Sequence, residues 1–185
     1  MPLTVAPDIT LSPLTSDDAG ALLAILGADR ETFDRWLRWS STIQSVEDAR
    51  RVIEDAAERE RAGRGFHWGL RRDGQLIGGV VCWSIDPVHR VAELGYWLSA
   101  NTRGRGLVTR ATRMVADHLF AAGQVNRVEF QCRTENGPSR RVAERVGGQF
   151  EGIRRQSHLV AGAFRDHAVY AILAGDPPPG AGPVL

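Results

Sequence analysis

Gly104 and Gly106 alternate with Arg103 and Arg105 immediately before an apolar-periodic run that starts at Leu107. Two side chains are therefore missing where the first unpaired N–H groups of a helix should point outward. Bare amides and the helix dipole both favour negative charge, so such a loop can cradle phosphate. Arg103 and Arg105 add positive potential, and Thr109 offers a hydroxyl in the first helical turn. A glycine-rich turn with solvated arginines is the plainer reading of the same residues. Two familiar phosphate loops do not fit. A Walker loop needs GxxxxGK[ST], and this chain has no Lys. A dinucleotide fingerprint needs a third glycine, where Thr109 stands, and an acidic residue about twenty positions later, which is not clearly present.

The elements that must hold this loop can be read from hydrophobic periodicity. Ile9, Leu11 and Leu14 suggest a first strand; Ser16 with Asp17 and Asp18 starts a helix that Gly27 stops. A short helix carries Phe33, Trp36 and Leu37. Ser45 caps a longer one, in which Val46, Ala49, Val52, Ile53 and Ala56 recur at helical spacing. From Phe66 the period falls toward 2, and Asp73-Gly74 marks a two-residue hairpin turn. Strands over 75–85 and 91–98 complete an antiparallel meander. A helix over 106–122, a strand over 127–133 and a short helix opened by Asn136-Gly137-Pro138 follow. A final hairpin, 150–160 and 165–173, turns at Ala161-Gly162, and the tail 175–185, with Pro177 to Pro179, is expected to be mobile. This order predicts a single α+β or mixed α/β domain over 1–174, with the early helices forming a lid or wall over the sheet.

Composition bounds the class. With 185 residues, 43% hydrophobic and 24% charged, the chain matches one ordinary globular domain, long enough to bury a core without disulfides or a metal. A net charge of +1 excludes a strongly basic nucleic-acid binder. Residues 101–155 nevertheless carry 11 Arg against 5 acids, a surplus of +6 that points to an anionic ligand rather than a polyanion track. No uncharged apolar run reaches the ~18 residues of a membrane span, and the amino terminus lacks signal-peptide blocks; a soluble, cytoplasmic protein without a membrane partner is expected. Cys82 and Cys132 sit in apolar alternating segments and read as reduced core residues. His67, His89, His118, His158 and His167 show no close metal spacing, so no metal is expected and each reads as structural, His167 least firmly.

The stretch ELGYWLSANTRGRGLVT, Glu93 to Thr109, resembles the coenzyme A pyrophosphate loop of the GNAT acyltransferases. That pattern is Gln or Arg, two residues, Gly, one residue, then Gly or Ala. Arg103, Gly106 and Val108 occupy those positions, and Val108 departs from it. ELGYWL before the loop, ENGPSRRVAERVGG after the next strand and RDHAVYAIL near the end extend the resemblance over 9–173, to the RimJ/RimL branch. The resemblance implies a twisted, mostly antiparallel mixed sheet, flanked by helices and splayed at a cleft that takes acyl-CoA. It implies transfer of acetyl from acetyl-CoA to a protein amino terminus or a small amine, and homodimers are common among similar proteins. Gly95, inside a strand, is compatible with the splay as a bulge or a close approach.

By the same resemblance, backbone groups of Tyr96, Trp97 and Leu98 hydrogen-bond the pantetheine arm, and one of their N–H groups polarises the thioester carbonyl. Arg103, Gly104, Arg105, Gly106, Leu107, Val108 and Thr109 hold the diphosphate. Asn136 resembles a pantetheine ligand, against a reading as a helix cap. Glu93, an acid amid apolar neighbours beside the expected thioester, is the candidate base, against an outward-facing or ion-paired glutamate. Ser139 matches the serine that serves the leaving thiolate, against a local helix-start hydrogen bond. Ala143 stands where many relatives place a tyrosine acid, and Gln131 where the RimI-like branch places its glutamate. Glu93 with Ser139, or positioning alone, must then suffice. Trp36 and Trp39 read as core or as lining of the acceptor mouth. A non-catalytic acyl-CoA sensor or interaction module, and a transferase for succinyl-CoA or another acyl-CoA, are the alternatives.

Overall fold

The computed structural model describes residues 2–160 and 162–177. Eight strands form one sheet: β1 (Leu3–Ala6), β2 (Ile9–Pro13), β3 (Phe66–Arg72), β4 (Gln75–Asp86), β5 (Val91–Leu98), β6 (Arg127–Arg133), β7 (Gln149–Val160) and β8 (Ala163–Leu173). Their spatial order is β1-β2-β3-β4-β5-β6-β8-β7. Every neighbouring pair is antiparallel except β5–β6. Five α-helices accompany them: α1 (Ala19–Ala28), α2 (Arg30–Trp36), α3 (Val46–Arg61), α4 (Leu107–Ala121) and α5 (Gly137–Arg145). The parallel pair requires a crossover, and α4 supplies it.

Local chemistry accounts for most boundaries. The β3–β4 turn puts Asp73 at φ +47 and Gly74 at φ +80, the two left-handed positions a primed hairpin turn needs. The Ser45 side chain accepts from the Asp48 N–H at the start of α3. One strand was not expected: β1 pairs with β2 along the sheet edge, and Pro7-Asp8 marks the turn between them, but four residues are too few for alternation to establish a strand. Two cores result, one on each face. Leu107, Ala111, Val115 and Leu119 of α4 pack with Val80, Leu94 and Phe130 on one side; Leu22, Leu26, Phe33 and Ile53 pack with Val81 and Trp97 on the other. The early helices thus wall one face, as expected. Gly175 to Pro177 follow β8 as a turn and bend; the rest of the expected tail, 178–185, and Ala161 of the last hairpin lie outside the described residues.

Candidate active site

The parallel ladder is short. It joins Val91 to Arg127, Ala92 to Val128 and Glu93 to Glu129, and then ends. Beyond it β5 still pairs with β4 as far as Leu98, and β6 with β8 as far as Arg133. The facing edges of residues 94–98 and 130–133 therefore diverge, leaving an opening wide enough to admit an extended ligand. A cleft of about 880 Å³ opens there, with Glu93 among its lining residues and at the last rung before the strands separate.

A bulge accompanies the divergence. Between the pairs Cys82–Leu94 and Ser84–Glu93, β4 carries one extra residue, Trp83, and such insertions increase local twist. Gly95 lies against it: a Cβ there would meet Trp83 Nε1 at 2.7 Å. Of the two readings of Gly95, the close approach is the one realised, because the extra residue sits on the neighbouring strand.

At the end of β5 the chain enters the glycine loop. Gly104 and Gly106 have φ of +80 and +68, and open space surrounds the Cβ position of each. Gly106 is the N-cap of α4 and offers no side-chain acceptor. The first intrahelical bond runs from Arg110 N–H to the Gly106 carbonyl, 3.1 Å, so the N–H groups of Leu107, Val108 and Thr109 have no intrahelical acceptor. Val108 also lines the cleft, and its side chain leaves its own N–H free. Arg103, expected to add positive potential to the loop, is also ion-paired. Its guanidinium pairs with Asp29 at 2.7 Å, bonds the Leu98 carbonyl through Nε at 3.2 Å and lies 5.4 Å from the Phe33 ring centre. It anchors the loop, while Arg105 is exposed.

Glu93 receives a hydrogen bond from Gln131 Nε2 at 3.2 Å, and Gln131 Oε1 accepts one from Arg154 at 3.1 Å. Burial pushes the Glu93 carboxyl above the ordinary carboxylate range; Glu129, opposite it in the ladder, pushes the same way, and Arg154 and Arg38 oppose them. Ser139 lies near the start of α5. Its Oγ donates to Cys132 Sγ at 3.2 Å and to Tyr96 Oη at 3.3 Å, while Tyr96 Oη donates to the Ser139 carbonyl at 2.7 Å. Burial raises the Cys132 thiol pKa, and the hydrogen bonds from Ser139 and Tyr96 moderate the rise. The Asn136 side chain accepts from the Ser139 N–H at 3.2 Å, so its carbonyl caps α5. Trp97 turns its indole to the opposite face, where Nε1 donates to His67 Nε2 at 2.9 Å. Ala143 is fully buried in the core.

The structure thus gathers Glu93, Tyr96 and Ser139 into one cleft with Gly104 and Val108. Sequence reasoning missed the Tyr96 hydroxyl, the position of Cys132 beside Ser139, and the His158–His167 pair, whose ring centres are 3.9 Å apart. Alternation puts Tyr96 on one face with Leu94 and Leu98. What that face meets depends on α5, which no local signal reveals.

A family model described as an acetyltransferase (GNAT) domain matches residues 8–149, and the chain belongs to that family. Its relatives include the ribosomal-protein-serine acetyltransferase of Escherichia coli, 25% identical over 169 residues, 91% of this chain and 94% of that one. The structure of Mycobacterium smegmatis RimJ in complex with CoA-disulfide is 31% identical, with a TM-score of 0.83 covering 90% of this chain and 82% of that one. In fold, the chain matches RimL in complex with coenzyme A at a TM-score of 0.89, with 21% identity, over 94% and 98% of the two chains. Within the family the chain falls in the RimJ/RimL-like branch; it is an N-acetyltransferase, moving acetyl from acetyl-CoA to an amine.

Proposed function

We propose that the domain over 1–174 acetylates a protein amino terminus or a small amine, by direct attack on the thioester, with Glu93 as base and Ser139 as hydrogen-bond donor to the sulfur. The observation that carries this reading is the position of Glu93 at the last rung before the sheet opens, with three helix N–H groups lacking intrahelical acceptors beyond the end of the same strand. When bound, acetyl-CoA supplies the acetyl group as a thioester. The amides of 104–109 would hold its diphosphate and backbone groups of Tyr96, Trp97 and Leu98 its arm, with Asn136 at the start of α5. Glu93 takes a proton from the amine. An α-amine, with a pKa near ~7.7–8.0, is already partly neutral at physiological pH, so the demand on the base is modest. The reading needs no metal. Mixing the protein with acetyl-CoA and a panel of amino-terminal peptides and small amines, and following free thiol, tests it. Tight CoA binding without release above hydrolysis would favour a sensor instead, and comparing acetyl-CoA with succinyl-CoA identifies the donor.

Gln131 supports the base. Its hydrogen bond favours the ionised carboxylate, so Gln131→Leu is expected to raise the Glu93 pKa further. The acidic limb of kcat/KM against pH then moves to higher pH, and an unmoved limb would separate Gln131 from the chemistry.

The protein is further proposed to act in the cytoplasm as a homodimer. No helix among the described residues is long and apolar enough to cross a membrane. The outer strand β7 leaves Phe150, Ile153 and Leu159 exposed. Two-fold pairing of that edge with a second copy would cover the same patch twice. Sedimentation velocity is expected to give twice the monomer mass, and Ile153→Lys to reduce it; a wild-type monomer at micromolar concentration would refute the dimer.

A further inference from the structure

The cleft has a second end, away from the amide loop. Residues from separate elements line the cleft together with Glu93: Arg38, just beyond α2; Arg133, on β6; and His158 and His167, on β7 and β8. Their charges are not all free. Arg133 lies 5.0 Å from the Trp36 ring centre, donates to the Arg35 carbonyl at 2.7 Å and pairs with Glu135, so it is a fixed, neutralised wall. Glu129 pairs with Arg127 at 2.8 Å, but Arg127 also pairs with Glu151, and the Glu129 charge still bears on Glu93. Burial, His167, Arg38 and Arg154 hold the His158 pKa down to about 4, so this imidazole is uncharged at neutral pH; burial first, with Arg133 and Arg38, also lowers that of His167. Arg154 bonds the neutral Gln131 amide. Arg38 is exposed and has no ion-pair partner among the described residues, yet its charge bears on Glu93, His158 and His167 together. Arg38 and Arg154 thus set two guanidinium groups without ion-pair partners among the described residues near Glu93.

We infer that this end of the cleft selects amine acceptors carrying an anionic group, a carboxylate or a phosphate, close to the amine, with Arg38 as the group that meets the anion, and that it disfavours polycations. The inference rests on the transferase reading and names its acceptor class. A guanidinium presents a planar fork matched to carboxylate and phosphate oxygens, and in a cleft it is less screened than on an open surface. A polyamine would instead bring further positive charge against Arg38 and Arg154.

The test measures kcat/KM by thiol release, for wild type and Arg38→Gln, on charge-matched acceptors. The carboxylate arm compares a peptide beginning Ser-Glu-Glu with one beginning Ser-Gln-Gln; the phosphate arm compares O-phosphoethanolamine with ethanolamine; spermidine is the polycation. Wild type is expected to prefer the charged member of at least one pair by about tenfold or more, the scale of a charge-assisted hydrogen bond, with spermidine the slowest. Which pair shows the preference distinguishes the two anions. Arg38→Gln should bring that ratio close to one. Equal wild-type rates within both pairs, or spermidine at least as fast as the charged acceptors, overturns the acceptor class and leaves the transferase standing. A ratio preserved in Arg38→Gln while both rates fall together shows that Arg38 acts only through Glu93. Acetyl-CoA binding without release above hydrolysis for any of these acceptors overturns both readings.

Discussion

Glu93→Gln is expected to lower kcat by roughly 100-fold or more, the scale of a lost general base, with the affinity for acetyl-CoA nearly unchanged. The amide keeps the size of the side chain and can still face Gln131, so the cleft should persist while the proton acceptor is lost. The sign of the pH dependence follows from the environment. Burial and Glu129 raise the carboxyl pKa above its ordinary value, and only the ionised form accepts a proton. The wild-type rate therefore falls as pH drops through that raised pKa, and the variant should lack this limb. Profiles of kcat/KM against pH with an α-amino peptide check this. An identical acidic limb in the variant would remove Glu93 as the base and leave positioning as the source of catalysis.

Gly106→Val should weaken CoA binding by at least about tenfold and destabilise the fold by about 1–2 kcal/mol, the penalty for a side chain in the left-handed region. Open space surrounds the Cβ position, so the effect does not arise from a clash within the protein. It arises because φ of +68 is hostile to a β-branched residue, and relaxing it re-aims the N–H groups of Leu107, Val108 and Thr109. Gly63, at φ +65 just after α3 and equally open, supplies the control. Gly63→Val should lose similar stability without losing CoA affinity. Titration calorimetry with thermal melts separates the two, and undiminished affinity in Gly106→Val would remove the diphosphate from this loop.

Features set by a few adjacent residues were legible in the sequence. Asp73-Gly74 specifies its own turn, Ser45 its own cap, and the glycine loop its left-handed geometry, because the cause lies within a handful of residues. Features set by register were not. That β5 and β6 part after Glu93 depends on how two strands 29 residues or more apart in sequence align, and alternation within either strand does not encode it. Nor does it encode the approach of α5, which brings Ser139 to Tyr96 and Cys132. The relay from Arg154 through Gln131 to Glu93 crosses three strands and is equally invisible. Gly95 shows the intermediate case. A glycine inside a strand signals a bulge or a close approach, but Trp83, whose indole fills the space a side chain would need, lies on the neighbouring strand.

The Arg103 guanidinium fastens the glycine loop to Asp29, the residue just before α2, and that helix is a rod of seven residues, about 10 Å long at 1.5 Å per residue. Trp36 forms the far end of the rod, and Arg38 follows two residues later. One short strut thus spans the distance between the part of the cleft that would grip the donor and the part that would greet the acceptor, and sets their separation.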